Sequence, residues 1–158
     1  MENRLFFPIF LDLTGKRILV VGAGRIATRR IRTLLPFGAA LTVVASEPSD
    51  EVAALAREGR LTLHERPFEE ADLEGAVMVL SAAGEETDKA VAAACRARGI
   101  PVNASSDIRL DDFYFPGIAR RDNIVIGITA SGTDHKAAHA VSQAVREFLN
   151  NKKEKMIL

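Results

Sequence analysis

The sequence predicts an α/β fold in which helices cover both faces of a parallel β-sheet. Short apolar, β-branched runs such as Ile18–Val21 are typical of strands that are buried on both faces. Helix signals separate these runs along most of the chain, and parallel strands require crossovers of this kind. A glycine-rich turn, G-x-G-x-x-A, follows the first run and opens the first helix. We therefore expect a Rossmann-like, nucleotide-binding domain over residues 1–112. Residues 113–158 are expected to add a small β-hairpin and a helix, as a sheet extension or a dimerisation segment.

The composition is that of an ordinary globular domain. The chain has 158 residues, of which 47% are hydrophobic and 27% are charged, and this length allows one domain with a real core. The formal net charge is zero, so bulk electrostatics favour neither a nucleic acid nor an anionic membrane as partner. The sequence has no apolar run of membrane-spanning length. The single cysteine, Cys95, is expected to be a buried, inert thiol, and this cysteine usage fits a cytoplasmic location.

The glycine turn predicts a dinucleotide-binding site. Gly22 allows the tight turn, Gly24 lets the backbone approach a pyrophosphate, and the small Ala27 lets helix and strand pack closely. The first free N–H groups of the helix, at Arg25 and Ile26, are then expected to face the phosphates at the positive end of the helix dipole.

The other elements of the sheet follow from periodicity and from cap residues. An aromatic arm, residues 5–13, is expected to be extended and to cover apolar surface. Ser49 or Asp50 is expected to cap the second helix, and Thr87 the third. The predicted elements are, in chain order, a strand at 18–21, a helix from 25 that ends before Gly38, a strand at 41–45, a helix at 51–57, a strand at 61–64, a helical turn at 72–73, a strand at 77–81, a helix at 88–98 and a strand at 101–103.

Two helices have predicted faces. The first is expected to bury Ile26, Ile31, Leu34 and Leu35 and to expose Arg29, Arg30 and Arg32. After the sheet, residues 113–116 and 123–130 are expected to be strands joined by a turn at 120–122. The last helix, 134–149, is expected to place Ala137, Val141, Val145 and Phe148 on one face.

The end of the second strand bears on the choice of nucleotide. An acidic residue about 20 residues after the glycines often binds the ribose hydroxyls of NAD, and Glu47 is the acidic candidate there. In the alternative, Glu47 is solvated and Ser46 meets the ribose through its backbone. Ala82 and Ala83 end the fourth strand, where small residues let the nicotinamide side approach the backbone. Because Glu47 is acidic, it favours NAD over NADP.

Several stretches together resemble the precorrin-2 dehydrogenase family, the NAD-dependent module of siroheme synthases. They are P-I-F-L-D-L-x-G-K-R before the glycine turn, R-P-F-x-x-x-D-L at 66–73, V-N-A-S-S-D at 102–107 and F-x-F-P at 113–116. The resemblance implies an enzyme that oxidises a tetrapyrrole, precorrin-2, to sirohydrochlorin with NAD⁺. It also implies a homodimer whose segment after the sheet is exchanged between subunits. In the family this segment leads into a helical C-terminal region that is largely missing here.

The resemblance also implies site residues. The family credits the proton transfer to an aspartate just after the fifth strand; its position here is Ser106, and the carboxylate stands one residue later, at Asp107. Asp107 is thus the expected catalytic residue, and the alternative is that it caps a turn. Substrate contacts are expected from Asn103, Ser105, Ser106, Ser131 and Gly132.

The stretch S-G-T-D-H-K-A-A-H departs from the family, because His139 stands where an arginine is usual. His135 and His139 are spaced i, i+4 with Asp134 beside them, which is a spacing that can ligate a metal. In the alternative, Asp134 caps the helix and the histidines are half-exposed. Two other functions therefore remain open: a sirohydrochlorin metal chelatase, as some members of the family also are, and a relative that binds NAD or a tetrapyrrole without catalysis.

Overall fold

The computed structural model describes residues 6–131 and 134–151, which form two compact units. One unit is Phe10–Phe113, and the other comprises the described residues on either side of that range. The aromatic arm is thus divided, since its first residues belong with the C-terminal part of the chain. No helix within the described ranges is long and apolar enough to cross a membrane.

The larger unit is built on a five-stranded parallel sheet with the strand order β3-β2-β1-β4-β5. Its strands are β1 (Arg17–Val21), β2 (Ala40–Val44), β3 (Thr62–His64), β4 (Met78–Ser81) and β5 (Val102–Ala104). The strand order reverses at β1, because the chain first builds outward through β2 and β3 and then returns to the other side of β1. In open α/β sheets, ligands bind beside such a reversal, at the carboxyl ends of the strands. The predicted Rossmann-like sheet is confirmed.

Three helices cover this sheet: α1 (Arg25–Leu34), α2 (Asp50–Arg57) and α3 (Glu85–Arg98). Short 3₁₀ segments occupy Leu35–Phe37, Glu70–Leu73 and Ile108–Leu110. Cys95 of α3 is fully buried in the core, together with Val79 and Val91. Burial raises the pKa of its thiol to about 11, so the cysteine is the buried, unreactive group that the sequence predicts.

The start of α3 differs from the prediction, and Thr87 is not its cap. The helix begins at Glu85, three residues earlier than expected, and Gly84 is the N-cap with φ of +100°. Only glycine adopts such a backbone conformation readily, and three acidic residues then occupy the first turn, where the helix dipole favours them. As a result, Asp88 is the fourth residue of the helix and not its first.

The buried face of α1 also differs from the prediction. Ile26 is 39% exposed and Arg30 only 9%. Arg30 lies three residues after Ala27 and four before Leu34, so it shares their buried face. Ile26 lies in the first turn of the helix, at the open carboxyl edge of the sheet.

The smaller unit contains an antiparallel hairpin and a long helix. Its elements are β6 (Gly117–Arg121), β7 (Ile124–Ile128) and α4 (His135–Asn151). The predicted strand at 113–116 is wrong: the strand starts at Gly117, directly after Pro116, which has no N–H group to donate to a ladder. A Cβ atom on Gly117 would lie 2.7 Å from Ser142 Oγ, so helix and hairpin pack closely there.

The apolar residues predicted to share one face of α4 do not form its buried side. Ser142 and Leu149 are buried, whereas Val141 and Phe148 are at least half exposed. The side chain of Arg121 donates to the carbonyl of Leu149, which fixes this side of the helix to the hairpin.

Over the described residues, from Phe6 onwards, the arm leaves most of its large apolar side chains exposed. Phe6 contacts Tyr114 with 5.2 Å between ring centroids, but the apolar side chains that follow are 59–86% exposed: Phe7, Ile9, Phe10 and Leu11.

Candidate functional site

The glycine turn lies at the carboxyl end of β1 and touches the loop that follows β4. Gly22 has φ of +95°, and a Cβ atom there would lie 2.3 Å from the carbonyl oxygen of Ala82. The N–H of Gly22 donates to Val44 at 2.8 Å, and the N–H of Ala82 donates to Val21 at 2.8 Å. The ends of β1, β2 and β4 are therefore joined, and the cofactor residues predicted in the first and fourth connections lie side by side.

The N-terminus of α1 is open. Gly24 is the N-cap, and a Cβ atom on it would meet nothing within 4 Å. No side chain in the described part of the chain caps this helix, and its first turn contains no acidic residue. Arg25 and Ile26, which begin the helix, are both exposed. A helix start that has free space, unclaimed N–H groups and the positive end of the dipole is suited to a phosphate, so these residues fit the pyrophosphate of a dinucleotide.

The start of α2 holds the glycine turn in place. Ser49 donates its N–H to the carbonyl of Ala23 at 3.3 Å, and its Oγ accepts the N–H of Val52 at 3.4 Å, which is the predicted cap. Thr28 donates from Oγ1 to the carbonyl of Gly24 at 3.0 Å and lies 3.2 Å from Ser49 Oγ. This role for Thr28 could not be predicted, because a threonine inside a helix belongs to no recognisable sequence pattern.

Ser46 and Glu47 follow β2 at the same edge of the sheet, and both are exposed. Both alternatives for the ribose, the Glu47 carboxylate and the Ser46 backbone, stay predictions.

Asp88 is the polar centre of the site, and it is not among the residues predicted from the sequence. Its side chain is fully buried and lies at the carboxyl ends of β4 and β5, where Ser81 Oγ donates to it at 2.5 Å. A recognisable pattern was present, because Asp88 precedes Val91, Ala92 and Cys95 at the spacing i, i+3, i+4 and i+7 of a buried helix face. An acidic residue on a buried helix face indicates that it has hydrogen-bond donors as partners inside the protein.

Asp107 caps a short helical segment after β5. Its carboxylate accepts the N–H of Arg109 at 2.9 Å and the guanidinium of the same residue at 2.6–3.0 Å. These hydrogen bonds lower the pKa of Asp107 to about 2. The contacts are those of the capping alternative, while the role of Asp107 in proton transfer stays a prediction.

Asn103 of β5 and two acidic residues that follow the strand have hydrogen-bond partners within the same unit. Asn103 is buried and donates from Nδ2 to the carbonyl of Phe113 at 3.0 Å. Asp111 accepts the N–H of Ala104 at 2.6 Å, and Asp112 accepts that of Val102 at 3.0 Å. Burial raises the pKa of Asp111 to about 6. These two carboxylates thus satisfy the free N–H groups of an edge strand.

The remaining predicted residues belong to the smaller unit. Ser131 ends the described segment after β7, with φ of +51°, while Gly132 and the side chain of His135 lie outside the described residues. Asp134 accepts the N–H of Ala137 at 2.8 Å and so caps α4, and His139 is exposed. Within the described residues, no group of three histidine, cysteine or acidic side chains could hold a metal ion. The metal site at His135 and His139 stays a prediction.

Comparisons with known proteins agree with this geometry. A family model described as "Putative NAD(P)-binding" matches residues 9–117. The chain is 34% identical over 144 residues to a probable multifunctional siroheme biosynthesis protein HemA of Ruminiclostridium josui, covering 90% of this chain and 28% of that protein. It is 40% identical over 128 residues to a siroheme synthase of Pseudomonas entomophila (strain L48), covering 80% of this chain and 28% of that protein.

A solved structure titled "SirC, precorrin-2 dehydrogenase" is similar over 90% of this chain and 71% of that chain, with a TM-score of 0.73 and 27% identity. The chain thus spans less than a third of the length of these curated relatives, and most of the solved one.

Proposed function

Because the chain belongs to the precorrin-2 dehydrogenase family, the NAD-binding module of siroheme synthases, we propose that it oxidises precorrin-2 to sirohydrochlorin with NAD⁺. One observation carries this proposal most directly. The open N-terminus of α1 and the loop after β4 are in contact at the strand reversal, through Gly22 and Ala82. A dinucleotide that lies across this contact has its phosphates at Gly24 and its nicotinamide towards Ala83, which is beside the loop after β5.

The oxidation removes two electrons and two hydrogens from the substrate. A C–H bond breaks, its electron pair and hydrogen leave together as hydride, and a second hydrogen leaves as a proton. NAD⁺, when bound, supplies the acceptor for the hydride. The protein holds the reacting atoms together, which is mostly a matter of positioning, and it offers a proton acceptor beside them.

We propose Asp107 as that proton acceptor, with Arg109 as the residue that governs its basicity. In the free protein the guanidinium of Arg109 stabilises the ionised carboxylate, so Asp107 is a weak base. The side chain of Arg109 is 86% exposed and can turn towards other anions. Precorrin-2 carries many carboxylates, and a substrate carboxylate that draws Arg109 away would raise the basicity of Asp107 only when substrate is bound.

A titration and an assay test the proposal. NAD⁺ binding is measured by calorimetry, because the chain has no tryptophan to report it. Precorrin-2 and NAD⁺ are then mixed with the protein, and the absorption of sirohydrochlorin is followed. We expect turnover by the native chain and its loss in Asp107→Ala with NAD⁺ binding retained. Tight NAD⁺ binding without turnover would refute the dehydrogenase and favour the relative that binds without catalysis.

We also propose that the chain forms a homodimer. The support is the run of exposed apolar side chains in the arm, which includes Phe7, Ile9 and Phe10. Side chains of this size are rarely left so exposed in a group on a monomer. Light scattering should give twice the mass of one chain, and Phe7→Ser with Phe10→Ser should shift it towards the monomer. A native monomer at micromolar concentration would contradict the proposal.

A further inference from the structure

We infer that Asp88 is a positioning residue that ties the nicotinamide-side loop, residues 82–84, to the loop that carries the proton acceptor, residues 105–107. The inference rests on the proposed function, because it assigns hydride acceptance to one loop and proton acceptance to the other.

The two oxygens of Asp88 serve different loops. Oδ1 accepts the hydroxyl of Ser81 at 2.5 Å and the N–H of Ala83 at 3.1 Å, both at the end of β4. Oδ2 accepts the N–H of Ser106 at 3.2 Å and faces the hydroxyl of Ser105 at 3.5 Å, both after β5. One carboxylate is thus shared between the two connections, and its position is fixed by the first turn of α3.

A carboxylate is the side chain that this arrangement requires. Backbone N–H groups can only donate, and those of Ala83 and Ser106 reach different oxygens of Asp88, so both oxygens must accept. An amide in the same place has one accepting oxygen and would present an NH₂ group to the other loop. Since the side chain is fully buried, water cannot replace a lost partner, and the loop that loses its acceptor must move.

For the reaction, the consequence is that Asp88 keeps the hydride acceptor and the proton acceptor at a fixed distance from each other. Ala83 lies beside the expected nicotinamide position, and Ser106 immediately precedes Asp107. If Asp88 is removed, the phosphates still have Gly24 and the start of α1, but the hydride and proton acceptors are no longer held to a common group. A displacement of about 1 Å can cost roughly 10²-fold in rate, so we expect turnover to fall far more than NAD⁺ affinity.

Asp72 provides a matched control. Asp72 is also a buried aspartate that accepts from a backbone N–H, that of Glu69, and from Arg66. It lies near the amino ends of the strands, away from the site, because the side chain of Arg17, the first residue of β1, donates to its carbonyl. Asp72→Asn perturbs a buried carboxylate without touching either loop.

The test combines kinetics with amide hydrogen exchange in the full chain. In Asp88→Asn and Asp88→Ala we expect kcat to fall about 10-fold and about 10²-fold respectively, with the Kd for NAD⁺ changed less than about 3-fold. The amides of Ala83 and Ser106 should both exchange faster in Asp88→Ala, and only one of them in Asp88→Asn. NAD⁺ should protect the Ser106 amide in the native chain and not in Asp88→Ala.

Asp72→Asn should leave kcat and both amides as in the native chain. An equal loss of kcat in Asp72→Asn and Asp88→Asn, or unchanged exchange at Ser106 in Asp88→Ala, would overturn the inference. The exchange measurement needs no turnover: a native chain that does not oxidise precorrin-2 but shows NAD⁺-dependent protection of Ser106 refutes the proposed reaction and supports the link through Asp88. If Asp88→Ala does not fold, the exchange pattern of Asp88→Asn decides.

Discussion

The two glycines of the nucleotide turn should respond to alanine in opposite ways. Gly22→Ala should destabilise the fold, and Gly24→Ala should leave the fold intact and weaken NAD⁺ binding. The two substitutions add the same methyl group two residues apart, so each serves as the control of the other.

The magnitudes follow from the space around each glycine. At Gly22 the added Cβ meets the backbone of Ala82 at 2.3 Å and requires φ of +95°. The conformational strain costs about 1–2 kcal/mol and the overlap about 1–3 kcal/mol more, so the free energy of unfolding should fall by about 2–5 kcal/mol. Gly24 has φ of −77° and open space, and there the loss of a good N-cap residue and the reduced entropy of the unfolded chain nearly cancel, within about 1 kcal/mol.

The affinity for NAD⁺ should be more sensitive to Gly24→Ala, whereas the stability of the fold should be more sensitive to Gly22→Ala. The methyl group on Gly24 stands where the pyrophosphate would approach, and a lost hydrogen bond to a charged group costs about 1.5–3 kcal/mol, or roughly 10- to 100-fold in the Kd for NAD⁺. Urea unfolding followed by circular dichroism gives the stabilities, and calorimetry gives the Kd. A Gly24→Ala chain that is stable and binds NAD⁺ like the native chain would refute the placement of the phosphates at α1. A Gly22→Ala chain with native stability would refute the close approach to Ala82.

The remaining predictions concern four side chains. The pKa of Asp111 is raised from 3.8 to about 6, so the native state holds this proton more tightly than the unfolded state does. The free energy of unfolding should therefore fall by up to about 3 kcal/mol as the pH rises from about 4 to about 6. Asp111→Asn keeps the acceptor for the N–H of Ala104, and urea unfolding of this variant should show a weaker dependence of stability on pH over the same range. Cys95 should resist iodoacetamide at pH 8 in the folded chain and react in urea, and labelling without urea would contradict its burial. Glu47→Ala should lower the preference for NAD⁺ over NADP⁺ about tenfold or more in calorimetry, whereas an unchanged preference favours the Ser46 backbone. Asp107→Ala should reduce kcat by about 10²–10⁴-fold with the Kd for NAD⁺ unchanged, and activity close to native would leave Asp107 only as a cap.

The sequence predicts the sheet well because its determinants are local. Ile18–Val21 could only be a buried strand, and the glycine turn after it fixes where the first helix begins. The failures are those in which two local signals compete. Thr87 has the chemistry of a cap, but Gly84 can take up φ of +100° and three acidic residues favour an earlier start. Arg30 has the composition of an exposed residue, but its place in the helix period puts it inside.

At the site, local and long-range determinants differ in how well they are predicted. Gly22, Gly24 and Ala82 follow from a motif and from strand ends. The partners of Asp88, in contrast, come from two separate loops: Ala83 lies 5 residues before it in the chain, and Ser105 and Ser106 lie 17 and 18 residues after it. The family resemblance implies a substrate contact for Asn103, and in the structure its amide donates to the carbonyl of Phe113 within the same unit. No rule of spacing distinguishes these two outcomes at a strand end.

The shortness of β5 explains why acidic residues gather around it. A strand of three residues at the edge of a sheet has few ladder bonds to hold the loop that follows it, and that loop is the one that must place the proton acceptor. Asp111 and Asp112 accept the free-edge N–H groups of Ala104 and Val102, and Asp88 accepts the N–H of Ser106 on the inner side. Carboxylates give stronger hydrogen bonds to N–H groups than neutral acceptors do. The raised pKa of Asp111 shows that this arrangement opposes ionisation at one position, so the stability lost between about pH 4 and about pH 6 is the cost of a rigid loop at the place where the reaction requires one.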